Sequence, residues 1–129
     1  RLPTEAEWEY ACRAKQNTQY CGGNSISNVA WYDDNSNHKS HAVGEKQANS
    51  FGLHDMTGNV AEWVGDWYQH GYYEGSPVND PQGALAGSSR VVRGGGWFSM
   101  DELGRTLARY RSNPDDKFNY VGFRLLRTQ

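Results

Sequence analysis

The stretch from Gly52 to Trp63 carries the residues whose types and spacing could do chemistry. Asp55 and Glu62 each offer a carboxylate. Gly58, between them, lets the backbone fold back so that main-chain carbonyls point inward. An all-oxygen shell of this kind suits a hard cation such as calcium. The stretch therefore predicts a metal-organised turn.

The same residues also fit an ordinary turn. Asp55 and Asn59 could satisfy backbone groups of the turn, as Asp and Asn side chains often do, while Glu62 stays in solvent. The spacing matches no EF-hand loop. The residues taken alone leave both interpretations open.

A helix near the start of the chain is the regular element that the sequence defines most clearly. Thr4 is an N-cap candidate with Glu7 three residues later, which makes a capping box. Trp8, Ala11 and Cys12 share one face at helical spacing. We expect this helix to be structural.

Later segments are expected to form short strands separated by loops. Residues 89–93 and 120–126 have the composition of strands. The aromatic run around Trp63 and Trp67 fits either a short helix or a strand. Gly94 and the two glycines that follow it permit a close backbone approach around Trp97.

Composition and charge narrow the class of protein. Fifteen glycines, 13% aromatic residues and no long apolar run describe one loop-rich globular domain without a membrane span. Thirteen basic and fifteen acidic residues are scattered without blocks, which argues against nucleic acid as a partner. The arginines of the last third are expected to bond carboxylates and loop carbonyls; they are Arg90, Arg93, Arg105, Arg109, Arg111, Arg124 and Arg127.

Four segments together resemble the sulfatase-modifying-factor family, whose founding activity is formylglycine generation. They are residues 1–11 (RLPTEAEWEYA), 52–63 (GLHDMTGNVAEW), 90–97 (RVVRGGGW), and 113–115 (NPD) followed by 122–124 (GFR). Their order and spacing run the length of the chain, so the resemblance is specific.

The resemblance implies a fold and a domain boundary. The family has an α+β, C-type-lectin-like architecture of short twisted strands, few helices and long ordered loops. The family domain is usually longer than this chain and has an extra amino-terminal portion before the Arg-Leu-Pro-Thr-Glu motif. We therefore expect residues 1–129 to be a single domain, the C-terminal part of such a domain, with the N-terminal part missing.

The resemblance also implies a structural calcium site. The family pattern places its ligands on the side chains of Asp55 and Glu62 and on the main-chain oxygens of Gly58 and Val60. A second calcium site of the family falls near Asn28 and Val29. The polar side chains that could hold a second cation here are Asp33, Asp34, Asn35 and Asn37.

The chain departs from the family's active members at the reaction centre. Those enzymes carry a redox pair of cysteines that binds copper(I), and the place of the first cysteine falls on Ser99. From Phe98 to Gln129 the only sulfur is that of Met100. A hydroxyl is a hard donor that stays protonated near neutral pH, so it cannot replace a copper-binding thiolate. Formylglycine-generating activity and copper are therefore not expected.

The two cysteines, Cys12 and Cys21, either pair or pack as free thiols. A disulfide would indicate an oxidising compartment, whereas two buried thiols would fit a cytosol. In relatives with a half-cystine at Cys12 the partner lies near Thr106, so that bridge is absent here. We favour an extracytoplasmic location, periplasmic or secreted.

Loss of the cysteines with retention of the scaffold favours a non-catalytic binding or scaffold module within a larger protein or complex, with a protein as its partner. Rigid aromatic side chains contribute contact area at low entropic cost. The same aromatics could instead fill the core of the last loop. The predicted binding surface consists of Phe98, Ser99, Asp101, Glu102, Arg105, Tyr110, Phe118 and Tyr120.

Two other functions stay open. One is an oxidative tailoring or maturation enzyme of the same superfamily without the copper–cysteine site. It would need a catalytic constellation, for which the histidines His38, His41, His54 and His70 are the candidates. His38 and His41 are three apart in a polar loop, a spacing too loose to define a site, and solvated side chains explain them better. The other is a ligand-binding protein diversified by a retroelement, since some relatives vary this terminal loop region between fixed anchors.

Overall fold

Helix α1 spans Glu5–Arg13 and begins at the predicted capping box. The Thr4 hydroxyl accepts a hydrogen bond from the Glu7 amide at 3.2 Å, and the Glu7 carboxylate accepts one from the Thr4 amide at 2.8 Å. These bonds satisfy amides that have no partner inside the helix. The helix ends at Ala14, whose left-handed backbone terminates the hydrogen-bond ladder.

The computed structural model describes all residues, 1–129. Besides α1 it contains a short helix α2 (Ile26–Val29) and strands β1 (Ala61–Trp67), β2 (Arg90–Arg93), β3 (Tyr110–Ser112) and β4 (Val121–Phe123), with 3₁₀ turns at Tyr72–Glu74 and Asp101–Gly104. No helix combines the length and the apolarity that crossing a bilayer requires. The predicted last strand is present but shorter than residues 120–126.

The four strands form one mixed sheet in the order β3-β2-β1-β4. Strand β1 pairs antiparallel with β2 and parallel with β4, while β2 pairs antiparallel with β3. The aromatic run is therefore a strand, and a register shift lies between Trp63 and Trp67. Parallel pairing with β4 brings the chain's last strand beside the Gly52–Trp63 turn.

The hydrophobic core lies between α1 and one face of the sheet. Trp8 of α1 packs with Met56, Val64 and Val91, all nearly inaccessible to solvent. Cys12 and Cys21 form a disulfide within this core, with their Cα atoms 4.8 Å apart. The choice between a disulfide and free thiols is thus decided in favour of pairing.

The opposite face of the sheet carries a row of apolar side chains. Trp63, Val92, Tyr110 and Phe123 are register partners on neighbouring strands, and register partners project to the same side. Val92 is buried, whereas Phe123 is 65% exposed. One side of the sheet therefore forms the core and the other contributes to the protein surface.

A buried ionic network joins α1 to the sheet. The Glu5 carboxylate is 1% exposed and accepts hydrogen bonds from Arg93 at 2.9 Å and from Arg109 at 2.7 and 2.9 Å. Arg93 has no exposed surface and stacks its guanidinium on the Trp8 ring. Because each charge has hydrogen-bonded counter-charges, the network offsets the cost of removing these groups from water. For these two arginines the predicted bonding to carboxylates is confirmed.

Asp66 on β1 is a second buried carboxylate in this region. One of its oxygens accepts a hydrogen bond from the Glu5 amide at 2.8 Å, while the other has no partner. The backbone of Gly83 passes so close that a β-carbon there would lie 2.5 Å from the unpartnered oxygen. Burial, opposed by the Glu5 amide bond and reinforced by the Glu5 charge, raises the pKa of Asp66 to about 6.

This raised pKa makes stability depend on pH. Because the folded state holds the Asp66 proton more tightly than the unfolded chain does, the contribution of Asp66 to stability should fall as pH rises from 3.8 to about 6 and stay lower above that range. Asp66→Asn keeps the acceptor for Glu5 but removes the charge. We expect its Tm to exceed that of the wild type by several degrees at neutral pH and to match it below pH 4. Thermal melts across this range measure the difference, and an offset that does not vary with pH would contradict the assignment.

Candidate functional site

The Asp55 side chain is buried at the start of the predicted metal turn. One carboxylate oxygen accepts a hydrogen bond from the Gly44 amide at 2.8 Å, and the other has no hydrogen-bond partner. The residue adopts a left-handed backbone conformation with φ 57°, which Asp tolerates better than most residues. A buried carboxylate oxygen without a donor is costly and is a position where a cation could bind.

Gly58 is the point where three backbone segments meet. Its amide donates to the Gly94 carbonyl at 2.9 Å, and the next amide, of Asn59, donates to the Trp31 carbonyl at 2.7 Å. Its φ is +77°, and a β-carbon would lie 2.4 Å from the Trp31 oxygen. Both the left-handed conformation and this close approach require glycine.

The two predicted main-chain ligands are free of competing donors. Neither the Gly58 nor the Val60 carbonyl oxygen accepts a hydrogen bond from the protein, whereas the intervening Asn59 carbonyl accepts one from the Trp97 amide at 2.8 Å. Free carbonyls at alternate positions of a turn are available to a hard cation. One Asp55 oxygen and these two carbonyl oxygens are therefore the unpartnered donors of the turn that a cation could use.

Glu62 is the predicted ligand whose oxygens already have partners. Arg124 donates to both carboxylate oxygens, at 2.6 and 2.8 Å, and the Trp8 indole N–H donates to one of them at 2.7 Å. Burial disfavours the charged form of Arg124, but the hydrogen bonds and charge of Glu62, with a contribution from Asp55, raise its pKa. The alternative of a solvated Glu62 is wrong, because the residue is 5% exposed.

Asp55, Val60 and Glu62 line a cavity of about 400 Å³ together with His54 and Arg124. Gly58 is not one of its lining residues. No three His, Cys, Asp or Glu side chains in the chain lie close enough to hold a metal together. A cation here would depend on the two carboxylates and main-chain oxygens, as the family pattern implies.

Two of the polar side chains proposed for a second cation have partners within the protein. Asn35 is used within its own turn, where its side chain accepts from the Tyr32 amide at 2.9 Å and donates to the Ala30 carbonyl at 3.0 Å. Asp33 faces the His38 ring at 3.8 Å. These contacts stabilise a surface turn, the usual role of Asp and Asn in loops.

The predicted binding surface divides into a groove and a rim. Phe98, Ser99, Tyr110, Phe118 and Tyr120 line a groove of about 320 Å³, while Asp101, Glu102 and Arg105 lie outside it. The sequence did not predict the apolar residues that also line the groove, which are Ala61, Val92, Leu103 and Val121. The register of β1, β2 and β4 decides which strand residues reach the groove.

Aromatic rings give the groove its shape. The Tyr120 ring lies between two phenylalanines, 4.3 Å from the Phe98 ring and 4.8 Å from the Phe118 ring, to which it is nearly parallel. Phe98 and Phe118 are 41% and 39% exposed. The rings are thus only partly used in packing, and the groove suits the binding of an apolar group.

Ser99 has a structural contact at the base of this groove. It is buried, and its hydroxyl accepts a hydrogen bond from the Gly96 amide at 2.9 Å. Its carbonyl accepts another from the Asp33 amide at 3.0 Å. The side chain therefore closes the turn that follows β2.

None of the four histidines belongs to a group of three or more His, Cys, Asp or Glu side chains that could hold a metal ion. His38 is exposed, as expected for a solvated side chain, but His41 is stacked on the Trp31 ring at 3.8 Å, with the Lys46 ammonium 4.1 Å from the same ring. His54 bonds the Lys46 carbonyl at 2.7 Å. For His41 the solvated interpretation is wrong, because aromatic stacking holds the ring against Trp31.

Comparison with known proteins identifies the family. Residues 1–129 match the family described as the sulfatase-modifying factor enzyme 1-like domain. The chain is 40% identical over 129 residues to the serine/threonine-protein kinase pkn1 of Chlamydia caviae, covering 96% of this chain and 20% of that protein. It is 35% identical over 150 residues to the formylglycine-generating enzyme of Streptomyces coelicolor, covering 96% and 45%.

A solved structure shows the same fold. Treponema denticola variable protein 1 superposes with a TM-score of 0.86 at 37% identity, covering 95% of this chain and 45% of that one. The chain belongs to the sulfatase-modifying-factor family and has its α+β, C-type-lectin-like fold, as the motifs predicted. It spans less than half the length of these three proteins.

The steric role of Gly58 can be separated from its conformational role. Gly52 has nearly the same φ, +78°, but a β-carbon there would meet no atom within 4 Å. Gly52→Ala should cost about 1 kcal/mol through left-handed strain alone. Gly58→Ala should cost more than about 3 kcal/mol, since it also collides with the Trp31 carbonyl. Urea unfolding of both variants measures the difference, and equal losses would mean that the close approach contributes nothing.

Proposed function

We propose that this chain is a non-catalytic, calcium-stabilised member of the family that acts as a binding or scaffold module within a larger protein or complex. In this proposal the aromatic groove contacts a protein partner. The proposal depends mainly on the residue at the position where active relatives have their first redox cysteine. Ser99 occupies that place, and its hydroxyl is buried and bonded to the Gly96 amide.

The distribution of sulfur supports the absence of the cysteine-dependent reaction. Cys12 and Cys21 are the only cysteines of the chain, and they are bonded to each other in the core beside Trp8 and Met56. Neither thiol is available to the groove. A hydroxyl that accepts a backbone hydrogen bond is not a copper(I) ligand, because copper(I) selects soft thiolates.

The calcium assignment is supported by three unused oxygens. They are one carboxylate oxygen of Asp55 and the carbonyl oxygens of Gly58 and Val60. A bound cation would connect Asp55 at the start of the Gly52–Trp63 turn with the carbonyls of Gly58 and Val60, and would add its binding free energy to folding, about 2.7 kcal/mol at a hundredfold excess over Kd.

The disulfide supports an extracytoplasmic location. Its two cysteines are fully or nearly fully buried in the main hydrophobic cluster. Structural disulfides form and persist in oxidising compartments and are rare in the cytosol of mesophiles. We therefore keep a periplasmic or secreted location as part of the proposal.

A second candidate function is a diversified ligand-binding protein. The observation in its favour is the likeness to Treponema denticola variable protein 1 over 95% of this chain. The groove would then be the ligand site, since Phe98, Tyr110, Phe118 and Tyr120 lie between the Arg90–Trp97 and Gly122–Arg124 anchors. Sibling copies from the source genome that differ mainly at these four positions would favour this function over a fixed protein partner.

The calcium proposal predicts a calcium-dependent gain in stability that requires Asp55. We expect calcium to raise the Tm of the wild type by several degrees relative to chelator, and Asp55→Ala to abolish most of that increment. Asp80→Ala is the control, because Asp80 also has a left-handed backbone but is exposed. A wild-type Tm that does not respond to saturating calcium would remove the claim.

The binding proposal predicts that groove variants lose a partner while remaining folded. Phe118→Ser should lower partner affinity at least about tenfold, as loss of an aromatic anchor does. Its Tm should fall only modestly, because the residue is 39% exposed and loses mainly the stacking contact with Tyr120. Leu85→Ser, at a fully exposed loop position, is the control that should retain the partner.

Affinity purification with quantitative mass spectrometry compares the three proteins in their native host. Proteins retained equally by wild type and Phe118→Ser would speak against the groove as the contact surface. A separate assay with a sulfatase peptide tests the non-catalytic part of the proposal. Formation of the aldehyde by this chain would refute it.

A further inference from the structure

Arg124 makes contacts that tie the two ends of the metal turn together. Its guanidinium donates to both Glu62 oxygens and also to the carbonyl of His54, at 3.0 Å, which is the residue before Asp55. It follows directly after β4, which pairs with β1 through Gly122 and Glu62. The side chain therefore bridges the start of the turn and the strand that follows it.

The cavity is lined by more carboxylates than Lys or Arg side chains. Asp55 and Glu62 supply two carboxylates, and both line the cavity together with Arg124, which is hydrogen-bonded to Glu62. Arg124 is the one Lys or Arg side chain among the cavity's lining residues. Without another cation, it is the group that neutralises the buried carboxylates, and burial makes such neutralisation necessary.

Arg124 also occupies the positions that a metal would need on Glu62. Each carboxylate oxygen accepts one bond from the guanidinium, and the oxygen bonded by Arg124 Nε accepts a further bond from Trp8. A divalent cation beside Glu62 would share these lone pairs and be repelled by the guanidinium charge at short range. The same contacts that stabilise the turn should therefore weaken calcium binding.

We propose that Arg124 is the internal cation that holds the Asp55–Glu62 turn together when calcium is absent and competes with calcium for the Glu62 carboxylate. This inference rests on the proposed calcium site. It assigns Arg124 a role in setting calcium affinity, in addition to its place in the Gly-Phe-Arg motif. Arg124 acts through Glu62 and is therefore a positioning residue.

The test combines calorimetric calcium titration with thermal melts in chelator and in calcium. Arg124→Gln should lower the Tm in chelator, because it leaves the buried Glu62 with Trp8 as its remaining partner. It should bind calcium about tenfold more tightly than the wild type, because the competing charge is gone. The calcium-induced rise in Tm should be correspondingly larger. Arg124→Lys keeps the charge but not the bidentate contact with Glu62. Its calcium affinity should therefore lie between those of the wild type and Arg124→Gln.

Arg109→Gln is a matched control. Arg109 binds both oxygens of the buried Glu5 as Arg124 binds those of Glu62, but Glu5 is not among the residues that line the cavity. The Tm of this variant should fall by the same amount in chelator and in calcium, relative to the wild type. Its calcium affinity should equal that of the wild type. That result would show that the effect at Arg124 is not a general consequence of breaking a buried ion pair.

The outcomes separate this inference from the calcium site itself. Tighter calcium binding by Arg124→Gln, with Arg124→Lys intermediate, supports the competition. Unchanged or weaker calcium binding by Arg124→Gln, with clear binding by the wild type, overturns the competition and leaves the calcium site intact. Absence of calcium binding in the wild type and both Arg124 variants overturns the site and the inference together.

Discussion

Burial of two glutamates against arginines is the constraint on which this structure depends. Glu5 at the start of α1 is bonded to Arg93 of β2, and Glu62 of β1 is bonded to Trp8 of α1 and to Arg124 after β4. The main apolar cluster has six buried residues, and these ionic contacts add specific connections between the helix and the sheet. Removing one partner of such a pair leaves an uncompensated buried charge, which costs about 3–5 kcal/mol.

The same constraint places the candidate functional sites. Because Glu62 lies on β1 and Arg124 follows β4, the parallel β1–β4 pairing determines the geometry of the metal turn. The β2–β3 pairing places Tyr110 opposite Val92, on the surface where the loops before β3 and β4 bring Phe98, Phe118 and Tyr120 together. The Gly52–Trp63 turn and the aromatic groove are therefore built on one small sheet, with Ala61 lining the groove and Glu62, the next residue, lining the cavity beside Asp55. A cation that stiffens the turn would also stiffen a wall of the groove.

Prediction from the sequence was reliable where the signal was local or was a complete motif. The capping box at Thr4 and Glu7 fixed the start of α1, and the motifs from residue 1 to residue 124 identified the family and its fold. Prediction was less reliable where two distant segments decide the outcome. The strand β3 and the partners of Glu62 were not predicted, and His41 was expected in solvent although Trp31 covers it. Contacts between segments that are dozens of residues apart produce no periodic pattern in the sequence of either segment.

The sequence by itself determined the family, the helix start, the lack of a cysteine at Ser99 and the set of oxygen donors in the Gly52–Trp63 turn. These follow from residue identity, and residue identity is local information. Only the tertiary structure decided that Cys12 and Cys21 pair and that Arg124 binds Glu62. Only the tertiary structure also shows that the Gly58 and Val60 carbonyls accept no hydrogen bond from the protein, and that the aromatic side chains assemble into a groove. These outcomes depend on which groups are brought within hydrogen-bonding or contact distance, and that is set by packing and sheet register.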